Sequence, residues 1–246
     1  ETKGQLVSFN GGTKDNAIPR ECEASLIYES DEEAAKAEEL ACELAETYAE
    51  ELTPAEPDFS CEISCETNRT AEAIPQDAAK EFICAMRLAP NGIQKRNIKM
   101  DGFVLVSLNL GVVRTEEDRI VMIFSPRSSV ASLQEDTKER LNTLAETFGF
   151  TVSHSSEYPG WSFKEDSPVR EICKESYKEL FGEDLKIEAI HAGLECGLFS
   201  DAIKGLDAIA IGPTIANCHT PDEYLTLDSF ERFYEFLKDI LSRLAK

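Results

Sequence analysis

The sequence predicts an α/β protein in two parts: two β-β-α-β halves over residues 1 to about 156, then alternating helix and strand over 157–246. Three observations predict it. Short apolar runs alternate with polar residues, as half-buried strands do, while longer runs place apolar residues at helical spacing. The order strand, strand, helix, strand occurs twice in the first part, at a coarse level without a residue-level repeat. At Tyr158-Pro159-Gly160-Trp161 the character changes, and helix then alternates with strand as in βα units.

The first strands are Leu6 to Phe9 and Ala24 to Tyr28. Ala37, Leu40, Ala41, Leu44, Ala45, Tyr48 and Leu52 then share a helical face, while Glu38, Glu39, Glu43, Glu46 and Glu50 take the others. That pattern is an amphipathic helix with an acidic outer face. Phe59, Cys61, Ile63 and Cys65 alternate with Ser60, Glu62, Ser64 and Glu66, which predicts a strand with both cysteines turned to the core. An extra helix is expected near Asp77 to Arg87. Phe103 to Val113 and Ile120 to Phe124 read as a hairpin joined at Thr115-Glu116-Glu117-Asp118. A helix from about Val130 to Gly149 follows, with Leu133, Leu141, Leu144, Ala145 and Phe148 on one face, and then a short strand near Phe150 to Ser153.

In the second part, a helix at about Val169 to Phe181 ends at Gly182, and strands are expected at Leu185 to Ile190 and Leu206 to Ile211. The last helix starts near Asp228-Ser229 with Glu231 as capping partner, and it buries Phe230, Phe233, Leu237, Ile240, Leu241 and Leu244. This part is small for a complete doubly wound domain, and the chain opens at Glu1 without an initiator Met. The N-terminus therefore reads as a cut.

Of the 246 residues, 42% are apolar and 29% charged, which fits a globular chain. Lys+Arg of 25 against Asp+Glu of 47 gives −22, a field that repels a phosphate backbone and argues against nucleic acid as a partner. Glu21 to Glu66 alone holds sixteen acidic residues and one basic residue, a net of −15, which reads as a solvated face. No apolar run approaches the ~20 residues that span a bilayer, and no leader pattern opens the sequence, so no membrane partner is expected. Eight scattered cysteines in a chain of this size read as reduced thiols in a cytoplasmic protein.

Few residues can carry chemistry. Of three histidines, His154 lies among serines and reads as a surface residue. His191 opens His191-Ala192-Gly193-Leu194-Glu195-Cys196-Gly197 directly after a strand, either as part of a ligand crevice or as a glycine-bearing turn whose Glu195 caps the next helix. His219, in Cys218-His219-Thr220-Pro221-Asp222-Glu223, is either structural or a metal ligand whose partners lie elsewhere, because zinc wants three or four ligands. Arg127, in Ser125-Pro126-Arg127-Ser128-Ser129, either pairs with a carboxylate or stands at the surface beside a capping serine. Asn16 offers an amide to a ligand or serves only the turn before Pro19.

Five runs, in order, resemble the bacterial aminoacyl-histidine dipeptidases, carnosinase-like enzymes of the metallopeptidase family that includes the aminoacylases. They are Asn16-Ala17-Ile18-Pro19-Arg20-Glu21, Ser107-Leu108-Asn109-Leu110-Gly111, Ser125-Pro126-Arg127-Ser128-Ser129, the His191 to Gly197 run, and Ile211-Gly212-Pro213 with His219-Thr220-Pro221-Asp222-Glu223. The resemblance implies a lid domain over 1–156, which clamps substrate and offers a surface for a homodimer, and the C-terminal part of a catalytic domain over 157–246. It implies two divalent metals, zinc first with cobalt or manganese as alternatives, and a small dipeptide as substrate. His219 then resembles a metal ligand, Arg127 the lid arginine on the substrate carboxylate, Asn16 a lid amide on the substrate, and Gly193 a backbone contact, with His191 and Glu195 shaping that loop. The remaining ligands and the glutamate base belong upstream of Glu1, so the 246 residues alone are expected to be inactive. The competing expectation is a non-catalytic α/β binding or dimerisation module.

Overall fold

A computed structural model describes residues 3–98, 102–155, 159–161, 163–188, 191, 195–217 and 222–245. The fold is mixed α/β, as expected. It divides into two compact units, one made of Glu1–Gly92, Leu108–Pro126 and Lys138–Val152, the other of Ile93–Ser107, Arg127–Thr137 and Ser153–Lys246.

In the first unit, β1 (Gln5–Gly11) and β2 (Cys22–Ile27) form an antiparallel ladder from Gln5↔Ile27 to Gly11↔Cys22, with an irregularity between Leu6 and Ser8. These strands belong to a sheet of order β2-β1-β4-β3 in which β5 also pairs with β4. The others are β3 (Gly92–Asn97), β4 (Phe103–Thr115) and β5 (Ile120–Ser128). At thirteen residues, β4 is long enough to accept partners at different points along it. The β4–β5 turn closes where Glu116 N–H donates to Arg119 O, where the acidic linker was expected.

The helix α1 (Asp31–Leu52) starts at Ser30, whose hydroxyl accepts from Glu33 N–H, and Asp31, Glu32 and Glu33 face the positive end of its dipole. None of its residues is buried, so the apolar stripe through Leu40, Leu44 and Tyr48 is exposed. A second helix, α2 (Gln76–Leu88), buries Ala79, Phe82 and Ala85 at threefold spacing. Leu6, Ala79, Phe82 and Val113 make the core, and the Phe9 and Phe82 rings meet edge to face at 5.5 Å. A third helix, α3 (Ala131–Phe148), follows β5 and ends before Gly149, whose φ of 68° is readily adopted only without a side chain.

Two strands expected to close the β-β-α-β halves do not form. Residues 59–66 carry no regular structure and join no ladder among the described residues, and Cys61 and Cys65 are exposed rather than turned to the core. Residues 150–153 likewise carry no strand. Alternation reports which side chains favour burial, but a strand also needs a neighbour's N–H and C=O groups. By contrast, β3 was missed because Gly92-Ile93-Gln94-Lys95-Arg96-Asn97 has no apolar run. It is the last strand in its order, where exposed Lys95 and Arg96 guard an open edge.

The second unit is held by α4 (Pro168–Phe181) and α6 (Leu227–Leu244), with α5 (Glu195–Ala202) between them in sequence. Ser167 caps α4 by accepting from Arg170 N–H, the Asp207 carboxylate accepts from Val169 N–H at 2.9 Å, and Gly182 ends the helix in the left-handed region. Cys173, Phe236 and Ile240 form the core. Buried Ser176 donates to Asp239 at 2.6 Å, and Arg243 holds the same carboxylate.

Here too the expectation was fuller than the fold. Only Phe236 and Ile240 of α6 are buried, while Phe230, Leu241 and Leu244 are exposed. The helix begins at Leu227 after Thr226, and Ser229 donates to Thr226 O instead of making a box with Glu231. Residues 185–188 and 206–211 are not strands, and Ile190 lies outside the described residues. One short antiparallel pair was missed, β6 (Ile215–Ala216) with β7 (Tyr224–Leu225), two residues each and too short for periodicity to reveal.

Candidate functional site

Asn16 stands exposed in the loop 12–21 of the first unit. The loop is fixed from β4: Asn109 Nδ2 donates to both Asp15 O and Ala17 O at 2.8 Å, gripping the backbone on either side of Asn16. Asp15 in turn accepts from Asn16 N–H, and Ala17 N–H closes a turn onto Lys14 O. Gly12 has φ of 69°, and a Cβ at Gly12 would overlap Gly111 O, just as one at Gly111 would overlap Asp15 O. The loop therefore rests on the backbone of β4. Neither Asn109 nor Gly111 was singled out for this role. The available signal was a polar or small residue at 107, 109 and 111, on alternate positions of an otherwise apolar strand.

Arg127 belongs to the second unit. It lies inside β5, which runs on to Ser128, rather than after a strand ending at Phe124. Its side chain is exposed and makes no ion pair or hydrogen bond with another described residue. Ser128 Oγ donates to Val130 O and accepts from Val130 N–H, closing the turn into α3. Gly160 sits against this strand end, where an added Cβ would come within 2.7 Å of Ser128 O. Gly197, buried in the first turn of α5, is equally close to Pro159 O. Glycines thus let the end of β5, the Pro159-Gly160 segment and α5 approach one another at backbone distance.

His191 joins the same unit half-buried. Its Nε2 lies 2.7 Å from Ser107 Oγ, and its ring meets Phe103 edge to face at 6.4 Å. Burial first and the nearby Arg127 charge second hold its pKa below the ordinary imidazole value. The imidazole is therefore neutral at pH 7. A neutral ring has one N–H and one acceptor nitrogen, so the direction of the bond between Nε2 and the Ser107 hydroxyl follows the tautomer. Glu195 opens α5 and is exposed, placing a carboxylate at the positive end of that helix.

The other candidates divide simply. His154 is exposed, as expected. Gly193, His219 and Pro221 lie outside the described residues. Their flanks are defined: β6 and β7 pair on either side of 217–223, Asn217 adopts φ of 54°, and Asn217 Nδ2 donates to Asp222 O. Among the described residues no group of three His, Cys, Asp or Glu side chains gathers to hold a metal ion, so by themselves they do not fit a two-metal centre. The cysteines among them, Cys22, Cys42, Cys61, Cys65, Cys84, Cys173 and Cys196, are free thiols. No helix among the described residues is long and apolar enough to cross a membrane.

Comparison with known proteins places this geometry. The model of peptidase family M20/M25/M40 matches residues 13–243. Over 244 residues the chain is 32% identical to the cytosol non-specific dipeptidase of Escherichia coli (strain K12), covering 98% of this chain and 49% of that protein. The crystal structure of aminoacylhistidine dipeptidase from Vibrio alginolyticus matches with a TM-score of 0.82 at 32% identity, over 98% of this chain and 49% of that one. Aminopeptidase PepT from Bacillus cereus ATCC 10987 shares the fold alone, with a TM-score of 0.54 at 19% identity over 68% of this chain and 45% of that one. The chain spans about half the length of the relatives it matches. Since the family model runs through both units, the chain belongs to peptidase family M20/M25/M40, whose members are generally metal-dependent peptidases.

Proposed function

We propose that this chain is the substrate clamp and part of the catalytic domain of a cytoplasmic metal-dependent dipeptidase acting on Xaa-His and related small dipeptides. The observation that carries the reading is Arg127: an exposed guanidinium without an ion-pair partner among the described residues, in a chain alike to two dipeptidases over nearly its whole length. A planar guanidinium suits a dipeptide's terminal carboxylate, which it pairs with through two parallel hydrogen bonds. Asn16 supplies an amide to the substrate, the backbone at Gly193 a further contact, and His219 one metal ligand. Residues 1–156 act as the lid and 157–246 as part of the catalytic domain. The metals, zinc or alternatively cobalt or manganese, supply the activated water when bound. The described residues make no such site alone, and the work assigned to this chain is binding and orientation.

The decisive experiment compares a β-alanyl-histidine or glycyl-histidine dipeptide with its C-terminal amide in the full-length protein. Arg127→Ala raises KM for the free acid roughly 100-fold and hardly changes KM for the amide, since hydrogen bonds to a charged group contribute about 1.5–3 kcal/mol and tenfold is about 1.4 kcal/mol. An unchanged acid-to-amide ratio overturns the assignment. The 246 residues alone, supplied with Zn²⁺, Co²⁺ or Mn²⁺, show no turnover on this reading.

One observation favours a second role, self-association. The stripe Leu40, Leu44 and Tyr48 lies exposed along α1, a surface suited to a second copy of the chain. Sedimentation of wild type against Leu44→Glu tests it, with a dimer expected only for the wild type.

A further inference from the structure

The Ser107–His191 hydrogen bond is left unused by the clamp just described. Ser107 lies on β4 and His191 stands four residues before α5, so their 2.7 Å contact joins segments far apart in sequence. Nearby, Ser129 N–H donates to Leu105 O. That bond brings Arg127 within about a residue of Ser107 along the neighbouring strand, at the same end of the hairpin. The Arg127 charge is close enough there to bear on the His191 ring. The edge contact of His191 with Phe103 fastens the ring at a further point of the same strand. Glycine contacts at Gly160 and Gly197 leave the end of β5 and the first turn of α5 little room to shift.

We propose that His191 and Ser107 are positioning residues for carboxylate recognition: the imidazole, held at the Ser107 hydroxyl and against the Phe103 ring, fixes the β4 side of the hairpin whose other strand carries Arg127. The inference rests on the assignment of Arg127 to the substrate carboxylate. Its chemistry depends on a neutral imidazole. An imidazolium would bring a second cation beside Arg127. Burial of the ring and the Arg127 charge both keep the neutral form in place. Neither residue needs to touch the reacting atoms. What they control is how well the guanidinium presents itself to the carboxylate end of a dipeptide.

The test uses the full-length protein and two substrates, glycyl-histidine and its C-terminal amide, with kcat and KM measured separately. Ser107→Ala and His191→Phe, the second retaining a ring against Phe103, are expected to raise KM for the acid about tenfold, the effect of losing roughly one hydrogen bond's worth of positioning. The kcat stays within about twofold, and KM for the amide does not move. Ser107→Thr and His191→Gln, which keep a hydroxyl and an acceptor, restore the acid KM. Equal effects on acid and amide, a fall in kcat instead of a rise in KM, or failure of the conservative pair to restore KM overturns the proposal. Arg127→Ala in the same assay separates the two readings. If it abolishes the acid-to-amide difference while Ser107→Ala and His191→Phe leave it intact, only the positioning role fails; if it leaves the difference intact, both fail. The 246-residue chain with nitrogen-labelled imidazoles gives a readout independent of turnover: Ser107→Ala should shift the His191 Nε2 resonance, and an unshifted resonance removes the bond from solution and the proposal with it.

Discussion

The two units treat similar apolar runs differently. In the first, Leu6 to Phe9 and Ala24 to Tyr28 became β1 and β2, a ladder closed through the loop 12–21. In the second, 206–211 is just as apolar and 185–188 alternates Leu and Ile with charge, yet neither forms a strand, and the unit is held instead by α4 against α6. A hairpin finds its partner next in sequence, whereas a strand that alternates with helices depends on a neighbour across a crossover. Among the described residues no such neighbour pairs with either run. The first unit thus owes its stability to a sheet covered by α2, and the second to two helices with their caps and a buried polar contact.

Core deletions should expose that difference most strongly. Phe82→Ala and Phe236→Ala each remove a buried ring, and each is expected to cost about 3–5 kcal/mol. The consequences should diverge. Loss of Phe82 removes its edge contact with Phe9 and should lower hydrogen-exchange protection along β1 and β2, while loss of Phe236 should spare that ladder and loosen α4 and α6. Identical protection maps for the two variants would erase the distinction.

The same contrast explains what could be read from the residues alone. Elements fixed by local signals were legible: the amphipathic spacing of α1, Gly182 after α4, and the acidic link between β4 and β5. Elements fixed by distant partners were not. β3 lacks apolar residues because it is an edge, β6 and β7 are too short for any period, and residues 59–66 have the alternation of a strand without a ladder. The site divides in the same way. Arg127, His191 and Asn16 stand out by residue type and context, but Asn109 gripping the loop and Ser107 meeting His191 connect residues ninety-odd and eighty-odd positions apart. No spacing rule reaches that far.

Gly111→Ala is the next largest test and is confined to the first unit. Its new methyl would meet the Asp15 backbone, which cannot yield as a flexible side chain would, so a cost of about 1–3 kcal/mol is expected. Limited proteolysis after Lys14 or Arg20 should accelerate. A variant at Gly212, where nothing lies within reach of a Cβ and the φ is ordinary, controls for the added methyl alone.

Helix caps give a smaller comparison. Ser167 is 3% exposed and shares the start of α4 with Asp207, whereas Ser30 starts α1 at the surface. Ser167→Ala should therefore cost about 1–2 kcal/mol and Ser30→Ala about 0.5–1 kcal/mol, because water can replace only the exposed hydroxyl. Urea titrations with equal slopes would measure both. A larger loss at Ser30 would mean that α1 is covered in solution.

The smallest expected effect separates the units by pH. In the folded second unit His191 resists protonation, through burial first and the Arg127 charge second, while in the unfolded chain it titrates near the ordinary value of about 6.5. Below that value the unfolded state binds more protons than the folded one, so stability rises with pH in the window between the lowered and the ordinary pKa. The contribution is present above about 6.5 and is lost as the solution is acidified through the window. Because carboxylates titrate nearby, the informative quantity is a difference: the shift in urea midpoint between about pH 7.5 and about pH 5.5 in wild type, less the same shift in His191→Gln. Destabilisation on acidification should be smaller in the variant, and it should show in α4 and α6 protection before β1 and β2. If wild type and variant respond to acid alike, His191 takes up its proton as readily folded as unfolded, and burial beside Arg127 is not what holds the ring neutral.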